Sequence, residues 1–186
     1  MTSCLACAII ISESEGKHKQ NQKGNKNIVE MKKVIYWDMD GTIANLYAVE
    51  GWCNGINSGK LFPYVEAAPM WDMARLAEIL IQLHEVGYVI GVITWLSKNG
   101  TREYNNEVRK AKREWLERYG LWEIMDEVHM VKYGTPKHTT ANIRHGILVD
   151  DNRGVREAWE NYGGETIDPT AVDILEVLAS MVEEEM

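Results

Sequence analysis

The residues of this chain that most clearly suggest chemistry are two aspartates placed two positions apart. Asp38 and Asp40 directly follow the β-rich run Lys33–Trp37, which we predict to be a strand. Side chains two apart on an extended chain point to the same side, so both carboxylates can face one space. Gly41 lets the backbone turn sharply and approach a ligand, and Thr42 offers a hydroxyl and an N–H to phosphate oxygens. The segment predicts a paired-carboxylate site.

A second acidic pair, Asp150 and Asp151, follows the apolar run 147–149 at what we predict to be another strand end. Carboxylate oxygens are the hard ligands that Mg²⁺ prefers, together with water and substrate phosphate. The pairs are therefore expected to converge on a magnesium site, with Asp150 and Asp151 both candidate ligands. A structural alternative is that Asp151 and Asn152 only cap a helix, and both roles can coexist.

A calcium-binding EF-hand loop is an alternative explanation of the first acidic pair. If Gly41 took the sixth position of such a loop, Tyr36 would stand first and Tyr47 twelfth. Neither can supply the carboxylates that those positions require. The preceding segment is also strand-like instead of helical, which excludes the EF-hand.

Further candidates for binding phosphate oxygens lie at later element boundaries. Thr94 ends a predicted apolar strand and can offer a hydroxyl. Thr135 and Pro136 predict the cap and first position of a helix, which puts Lys137 in the first turn. A cation there is disfavoured by the helix dipole unless an anion is near, and this favours a phosphate neighbour. Lys132 is the alternative phosphate-binding lysine.

Short β-rich runs alternate with longer helical periods after residue 32, which is typical of an α/β fold with a parallel sheet. The predicted strands are 33–37, 88–94, 127–131, 146–149 and 165–167. Helices are predicted where apolar side chains recur every three or four residues. The four helical stripes lie around 76–83, 104–119, 152–162 and from Thr170 through Ala171 onward.

Residues from about 45 to 70 interrupt this alternation with several glycines and a proline, so we predict an insertion forming a small cap. It would hang over the carboxyl edge of the sheet, where open α/β folds bind ligands. Aromatic residues there and beside Thr94 can stack a nucleobase or pack against the core: Trp52, Phe62, Tyr64 and Trp95. Lys98 and Arg102 can contact a second anionic group or remain solvated.

Residues 1–30 are predicted to be a disordered tail preceding a domain over 31–186, with Met31 as a candidate functional start. The tail holds Cys4 and Cys7, but a lone C-x-x-C without a second ligand pair does not predict a metal site. The tail also lacks the basic start and cleavage site of a secretory signal. Three cysteines in all are too few for a disulfide framework, which indicates a cytoplasmic protein.

The composition excludes some partners. With 45% apolar and 26% charged residues the chain is typical of a soluble globular domain, and no apolar run approaches the roughly 20 residues that span a bilayer. A net charge of −8 and a pI near 5.2 argue against nucleic acid as a partner, since that binding needs clustered cations. A small phosphorylated substrate remains compatible, and the oligomeric state is left open.

Taken in order, the Asp38–Thr42 segment, Thr94, Lys137 and the Asp150-Asp151 pair resemble the four motifs of the haloacid dehalogenase (HAD) superfamily. The resemblance covers about residues 32–168. It implies a Rossmann-like fold whose five-stranded parallel sheet has the order 5-4-1-2-3. The second acid, Asp40, is similar to the phosphatase branch of the superfamily. The insertion and the segment Ile147–Asn152 resemble the 5′(3′)-deoxyribonucleotidase-like group, although this insertion of about 26 residues is shorter.

The resemblance also implies roles for the site residues. Asp38 would be the nucleophile that forms an aspartyl-phosphate, and Asp40 would protonate the leaving oxygen and then activate water. Mg²⁺ would be held by Asp38, the Asp40 carbonyl, and Asp150 or Asp151. Thr94 and Lys137 would hold the phosphoryl oxygens, while Gly41, Thr42 and Trp95 would contact substrate.

The function predicted on this basis is a magnesium-dependent phosphomonoesterase acting on a nucleotide. Two alternatives stay open at this point. One is a polynucleotide end phosphatase, because a small cap leaves the site accessible to large substrates. The other is a non-catalytic phosphate-binding or regulatory module that kept the fold.

Overall fold

A computed structural model describes residues 33–141 and 145–186. The predictions made for residues 1–30, for Cys4 and Cys7, and for Met31 as a start lie outside these residues. Seven strands occur within the described ranges: β1 (Lys33–Trp37), β2 (Ala44–Asn45), β3 (Ala68–Pro69), β4 (Tyr88–Trp95), β5 (Glu127–Val131), β6 (Ile147–Val149) and β7 (Glu165–Ile167).

Five of these strands form one parallel sheet in the order β5-β4-β1-β6-β7. Counted along the chain without β2 and β3, this is 5-4-1-2-3 read from the β7 edge, so the α/β prediction is confirmed. Strand β1 is central, with Ile35 beside both Ile90 and Ile147. The last four residues of β1 are buried, as expected for a parallel sheet covered on both faces. The two-stranded sheet β2–β3 was not predicted.

Six α-helices lie in the described part of the chain: α1 (Trp52–Asn57), α2 (Phe62–Glu66), α3 (Met73–Glu85), α4 (Arg102–Arg118), α5 (Arg153–Glu160) and α6 (Ile174–Glu185). Single 3₁₀ turns cover Leu46–Ala48, Trp122–Ile124 and Lys137–Thr139. The predicted apolar stripe of α3 is confirmed, because its four members are all fully buried: Leu76, Ile79, Leu80 and Leu83. None of the helices described here has the length and apolar character needed to cross a membrane.

Helix α6 begins later than predicted. The sequence pattern placed its start at Thr170, but Thr170 and Ala171 lie in an exposed turn. The Asp168 carboxylate holds this turn by accepting hydrogen bonds from the N–H and the hydroxyl of Thr170. Asp173 then caps the helix through the N–H groups of Leu175 and Glu176.

The segment predicted as an insertion runs from β2 to β3 and contains α1 and α2. Its ends are closed by the antiparallel pairing of Ala44 with Pro69 and Asn45 with Ala68. It rests on α4, where the Trp115 indole N–H donates to the carbonyl of Ala67 at 2.7 Å. The insertion is therefore fixed on one side of the sheet's carboxyl edge by packing against α4.

Replacement of Leu80 by alanine should lower the free energy of unfolding by about 2–5 kcal/mol, because it opens a cavity beneath the sheet. The neighbouring Ile81 is 47% exposed on the same helix, so Ile81→Ala should cost about 0.5 kcal/mol. Urea denaturation followed by circular dichroism measures both. Equal losses for the two variants would contradict the burial of the α3 stripe.

Candidate active site

The sheet hydrogen bonding continues one residue beyond β1 and β6, and this brings two aspartates together. The N–H of Asp38 donates to the carbonyl of Val149 at 2.9 Å, and the N–H of Asp150 donates to that of Ile167 at 3.2 Å. One carboxylate oxygen each from Asp38, Asp150 and Asp151 lie within 4.8 Å of one another. The structure thus brings Asp38 of the first acidic pair together with both members of the second pair.

Lys137 bridges this carboxylate cluster. Its Nζ donates to Asp38 Oδ1 at 2.6 Å and to Asp150 Oδ2 at 2.7 Å, and the side chain is almost fully buried. Burial lowers the pKa of Lys137, but the two carboxylates outweigh burial and raise it above its usual value. Burial and the charge of Asp38 raise the pKa of Asp150 to about 6, against the opposing effect of Lys137.

The local structure around Lys137 differs from the prediction in one respect. Thr135 does not cap a helix: Pro136, in an extended conformation, precedes a single 3₁₀ turn that begins at Lys137. The anions that the buried ammonium meets are two carboxylates of the chain itself. Lys132, the alternative lysine, is exposed to solvent and has no contact with the cluster among the hydrogen bonds and ion pairs of the described residues.

A second buried lysine, which the sequence analysis missed, holds the other acidic side chain. Lys112 of α4 donates to Asp40 Oδ2 at 2.6 Å and to Thr94 Oγ1 at 2.7 Å. Burial raises the pKa of Asp40 above its usual range; Lys112 opposes that shift and the charge of Asp38 adds to it. Its burial could have been predicted from its position, because Lys112 lies on the same helical stripe as Val108 and Trp115.

Gly41 is required by close packing at the turn after Asp40. Its φ of +85° lies in the left-handed region, and a Cβ there would come within 2.5 Å of the Tyr47 ring and 2.7 Å of Asp151 Oδ2. The predicted sharp turn is therefore present. The groups that closely approach the glycine are side chains of the site. Tyr47 is a further site residue that was not predicted from the sequence.

Thr42 lies against Asp151. Its hydroxyl accepts a hydrogen bond from the N–H of Asp151 at 3.1 Å and donates to Asp151 Oδ1 at 3.3 Å. The side chain is fully buried, and the Thr42 N–H donates to the carbonyl of Met39. Thr42 thus positions Asp151, and its contact with a substrate phosphate stays a prediction.

The carboxylate cluster fits a hard divalent cation. Asp38, Asp150 and Asp151 present oxygen atoms at a spacing that one ion can bridge, with donors of the kind that Mg²⁺ prefers. Asp150 Oδ1 also accepts from the N–H of Asn152 at 2.8 Å, which fixes the carboxylate. Asn152 in turn caps α5, so the predicted cap is present while Asp150 stays in the carboxylate cluster. The Asp40 side chain is bound by Lys112, and the backbone carbonyl of Asp40 stays a predicted Mg²⁺ ligand.

Two cavities meet at Asp38. The acidic cavity, of about 80 Å³, is lined by Lys137 and the three cluster carboxylates. The aromatic cavity, of about 260 Å³, is lined by Asp40 and by residues of the insertion and the loop after β4. Four residues line both cavities: Asp38, Tyr47, Trp95 and Tyr133.

The predicted aromatic and basic contacts divide between these cavities and the core. Trp52, Tyr64, Trp95 and Lys98 line the aromatic cavity, and the Trp95 indole N–H donates to the carbonyl of Thr135. Phe62 packs against Gly55 inside the insertion instead, where a Cβ on the glycine would lie 2.6 Å from its ring. Arg102 is the exposed first residue of α4 and does not line the cavity.

No model of a known protein family matches the chain, and no curated protein matches it by sequence. Among solved structures the chain is similar to D,D-heptose 1,7-bisphosphate phosphatase from Burkholderia thailandensis, with 18% identity, a TM-score of 0.46, and coverage of 72% of this chain and 75% of that one. The corresponding protein from B. bronchiseptica, in complex with magnesium and phosphate, has 13% identity, a TM-score of 0.45, and coverage of 72% and 78%. Such a likeness concerns the fold alone.

Magnesium should raise the melting temperature of this protein more at pH 7.5 than at pH 5. The pKa of Asp150 in the folded chain, about 6, exceeds its ordinary value of 3.8, so this group's contribution to stability is present at low pH and lost as the pH rises through 6. Above that pH the carboxylate is charged and can bind the cation, while below it protons compete with the cation for the carboxylate oxygens.

Thermal melts with and without Mg²⁺ at the two pH values measure this effect. Asp150→Asn should abolish the magnesium-dependent increase, whereas Glu78→Gln, on the exposed face of α3, should leave it intact. An increase that is equal at both pH values, or that survives in Asp150→Asn, is inconsistent with a metal on this cluster.

Proposed function

We propose that the protein is a magnesium-dependent phosphomonoesterase in which Asp38 is the nucleophile. The observation that carries this proposal is the place of Asp38 at the junction of the two cavities, with Lys137 Nζ at 2.6 Å. The acidic cavity offers the Lys137 ammonium to a phosphoryl group, and its carboxylates would hold a cation there. The aromatic cavity offers space for the organic part of the ester.

The reaction divides into two displacements. An oxygen of Asp38 attacks phosphorus, the ester P–O bond breaks, and Asp40 gives its proton to the leaving oxygen, so that an aspartyl-phosphate and an alcohol form. Asp40, now ionised, takes a proton from water as the water attacks the phosphorus. Inorganic phosphate leaves, and Asp38 and protonated Asp40 are restored. The raised pKa of Asp40 suits a group that must hold a proton before the first step.

The remaining site residues hold and compensate charge. Bound Mg²⁺ would supply a positive charge beside the phosphoryl oxygens, and Asp38, Asp150 and Asp151 are the residues that would hold it. Lys137 would move from its bridging position onto a phosphoryl oxygen, supplying the charge compensation on which phosphoryl transfer depends. Thr94 accepts a hydrogen bond from Lys112, which leaves its own hydroxyl proton to donate to the substrate.

We propose a nucleoside monophosphate as the substrate. The aromatic cavity places Trp52, Tyr64, Trp95 and Tyr133 around the space next to Asp38, and aromatic faces bind nucleobases with little sequence demand. Lys98 Nζ lies 5.4 Å from the centroid of the Tyr133 ring and can meet a second polar or anionic group. We further propose that the protein works in the cytoplasm, because its few cysteines suit a reducing compartment.

With Mg²⁺, the protein should release phosphate from nucleoside monophosphates, and Asp38→Asn should reduce this rate to background because it removes the nucleophile. A malachite-green assay of nucleoside monophosphates, a sugar phosphate and a 3′-phosphorylated oligonucleotide measures the preference. Faster cleavage of the oligonucleotide would replace the nucleotidase proposal with a polynucleotide end phosphatase. A folded, magnesium-binding protein that cleaves none of these esters would instead be a phosphate-binding module.

Lys137→Met should lower kcat by about 10²–10³, the usual effect of losing one donor to the charge that develops during transfer. Lys132→Met is the matched control, since Lys132 is five residues away and exposed. It should keep the wild-type rate. Steady-state kinetics on the best substrate of the panel measures both variants, and equal effects would refute the assignment of Lys137 as the phosphate-binding lysine.

A further inference from the structure

Lys112 is the one lysine in the described residues with no solvent exposure at all. It lies in the middle of α4, on the face that carries Val108, Ala111 and Trp115 into the core. The adjacent positions show the contrast, because Lys110 and Arg113 are exposed and pair with glutamates of their own helix. An apolar residue would be the ordinary choice for a position on this stripe.

Three groups of the described residues lie near the ammonium of Lys112, and each belongs to the proposed site. Asp40 Oδ2 lies at 2.6 Å and Thr94 Oγ1 at 2.7 Å. The centroid of the Tyr64 ring, on α2 of the insertion, lies 5.4 Å away. The insertion, the helix and the end of β4 therefore meet at this one atom.

Stability alone does not account for such a lysine. Removing a charged pair from water costs several kcal/mol per ion, and well-packed apolar residues often replace a buried pair without loss. Asp40 is more open than its partner: its side chain keeps 18% of its exposure and lines the aromatic cavity. Lys112 thus binds one carboxyl oxygen of Asp40 on the core side, while the Asp40 carboxyl group still reaches the space where a leaving group would lie.

We propose that Lys112 is a positioning residue for the general acid and base Asp40. It holds Oδ2 so that the other carboxyl oxygen is aimed at the leaving oxygen. This inference rests on the proposed function. Lys112 itself need not touch the substrate.

Leaving groups of different quality separate this role from a general structural one. Phenyl phosphate and 4-nitrophenyl phosphate are similar in shape, but the nitrophenolate leaves readily without a proton and phenolate does not. Lys112→Met should therefore lower kcat for phenyl phosphate by about 10²-fold, the lower end of what proton transfer contributes, and that for 4-nitrophenyl phosphate by less than about 10-fold. KM should change little for either ester. Lys110→Met, an exposed lysine on the same helix, is the matched control.

The second arm is a double-mutant comparison. If Lys112 acts only through Asp40, then Asp40→Asn and Asp40→Asn with Lys112→Met should turn over phenyl phosphate at the same rate. This arm does not depend on the folding of Lys112→Met alone, because the double variant has no unpaired buried carboxylate. Circular dichroism and the magnesium-dependent rise in melting temperature check that each variant is folded.

The outcomes separate the two proposals. Equal losses for both esters, or a double variant at least 10-fold slower than Asp40→Asn, would overturn the role of Lys112 while the wild type still turns over. If the wild type hydrolyses neither ester with Mg²⁺, the proposed function fails, and the role of Lys112 in it fails as well. Selective loss for phenyl phosphate together with equal rates in the second arm supports the positioning role.

Discussion

The crowding of four carboxylates at one edge of the sheet is the constraint on which the rest of this structure depends. Asp38 and Asp40 follow β1, Asp150 and Asp151 follow β6, and the two strands are neighbours. Like charges so close and so little hydrated repel strongly unless cations offset them. Two buried lysines supply that offset from separate elements, α4 and the turn after β5. Those elements must therefore pack where their ammonium groups reach the carboxylates.

The same packing separates the two cavities. The acidic cavity lies on the side of Lys137 and β6, and the aromatic cavity on the side of α4 and the insertion. The insertion is held to α4 by the Trp115 indole and by Tyr64, whose ring faces Lys112. Helix α4 binds Asp40 through Lys112, and the same helix positions the aromatic residues of the insertion relative to Asp40. In the proposed function, substrate selection and proton transfer therefore depend on one shared contact.

Sequence periodicity was sufficient for what depends on burial and chain direction: the five strands of the main sheet, the stripe of α3, and the meeting of strand-end aspartates. It failed where side chains compete for local hydrogen bonds. Asp168 and Asp173 delay the start of α6 beyond the predicted Thr170. Lys112 was missed because a lysine within a charged stretch is ordinarily solvated, and only its phase relative to the apolar stripe indicated otherwise.

The different surroundings of Asp38 and Asp40 come from the tertiary structure and not from their motif. The two residues have the same side chain and stand two positions apart, so local sequence gives them similar surroundings. Asp38 lies with the carboxylate cluster and Lys137, whereas Asp40 lies with Lys112 and Thr94 and has a raised pKa because of burial. Carboxylates whose environments differ in this way can serve as nucleophile and as acid at one pH. Because each lysine arrives from a distant part of the chain, the same D-x-D-G segment in another fold would lack this asymmetry.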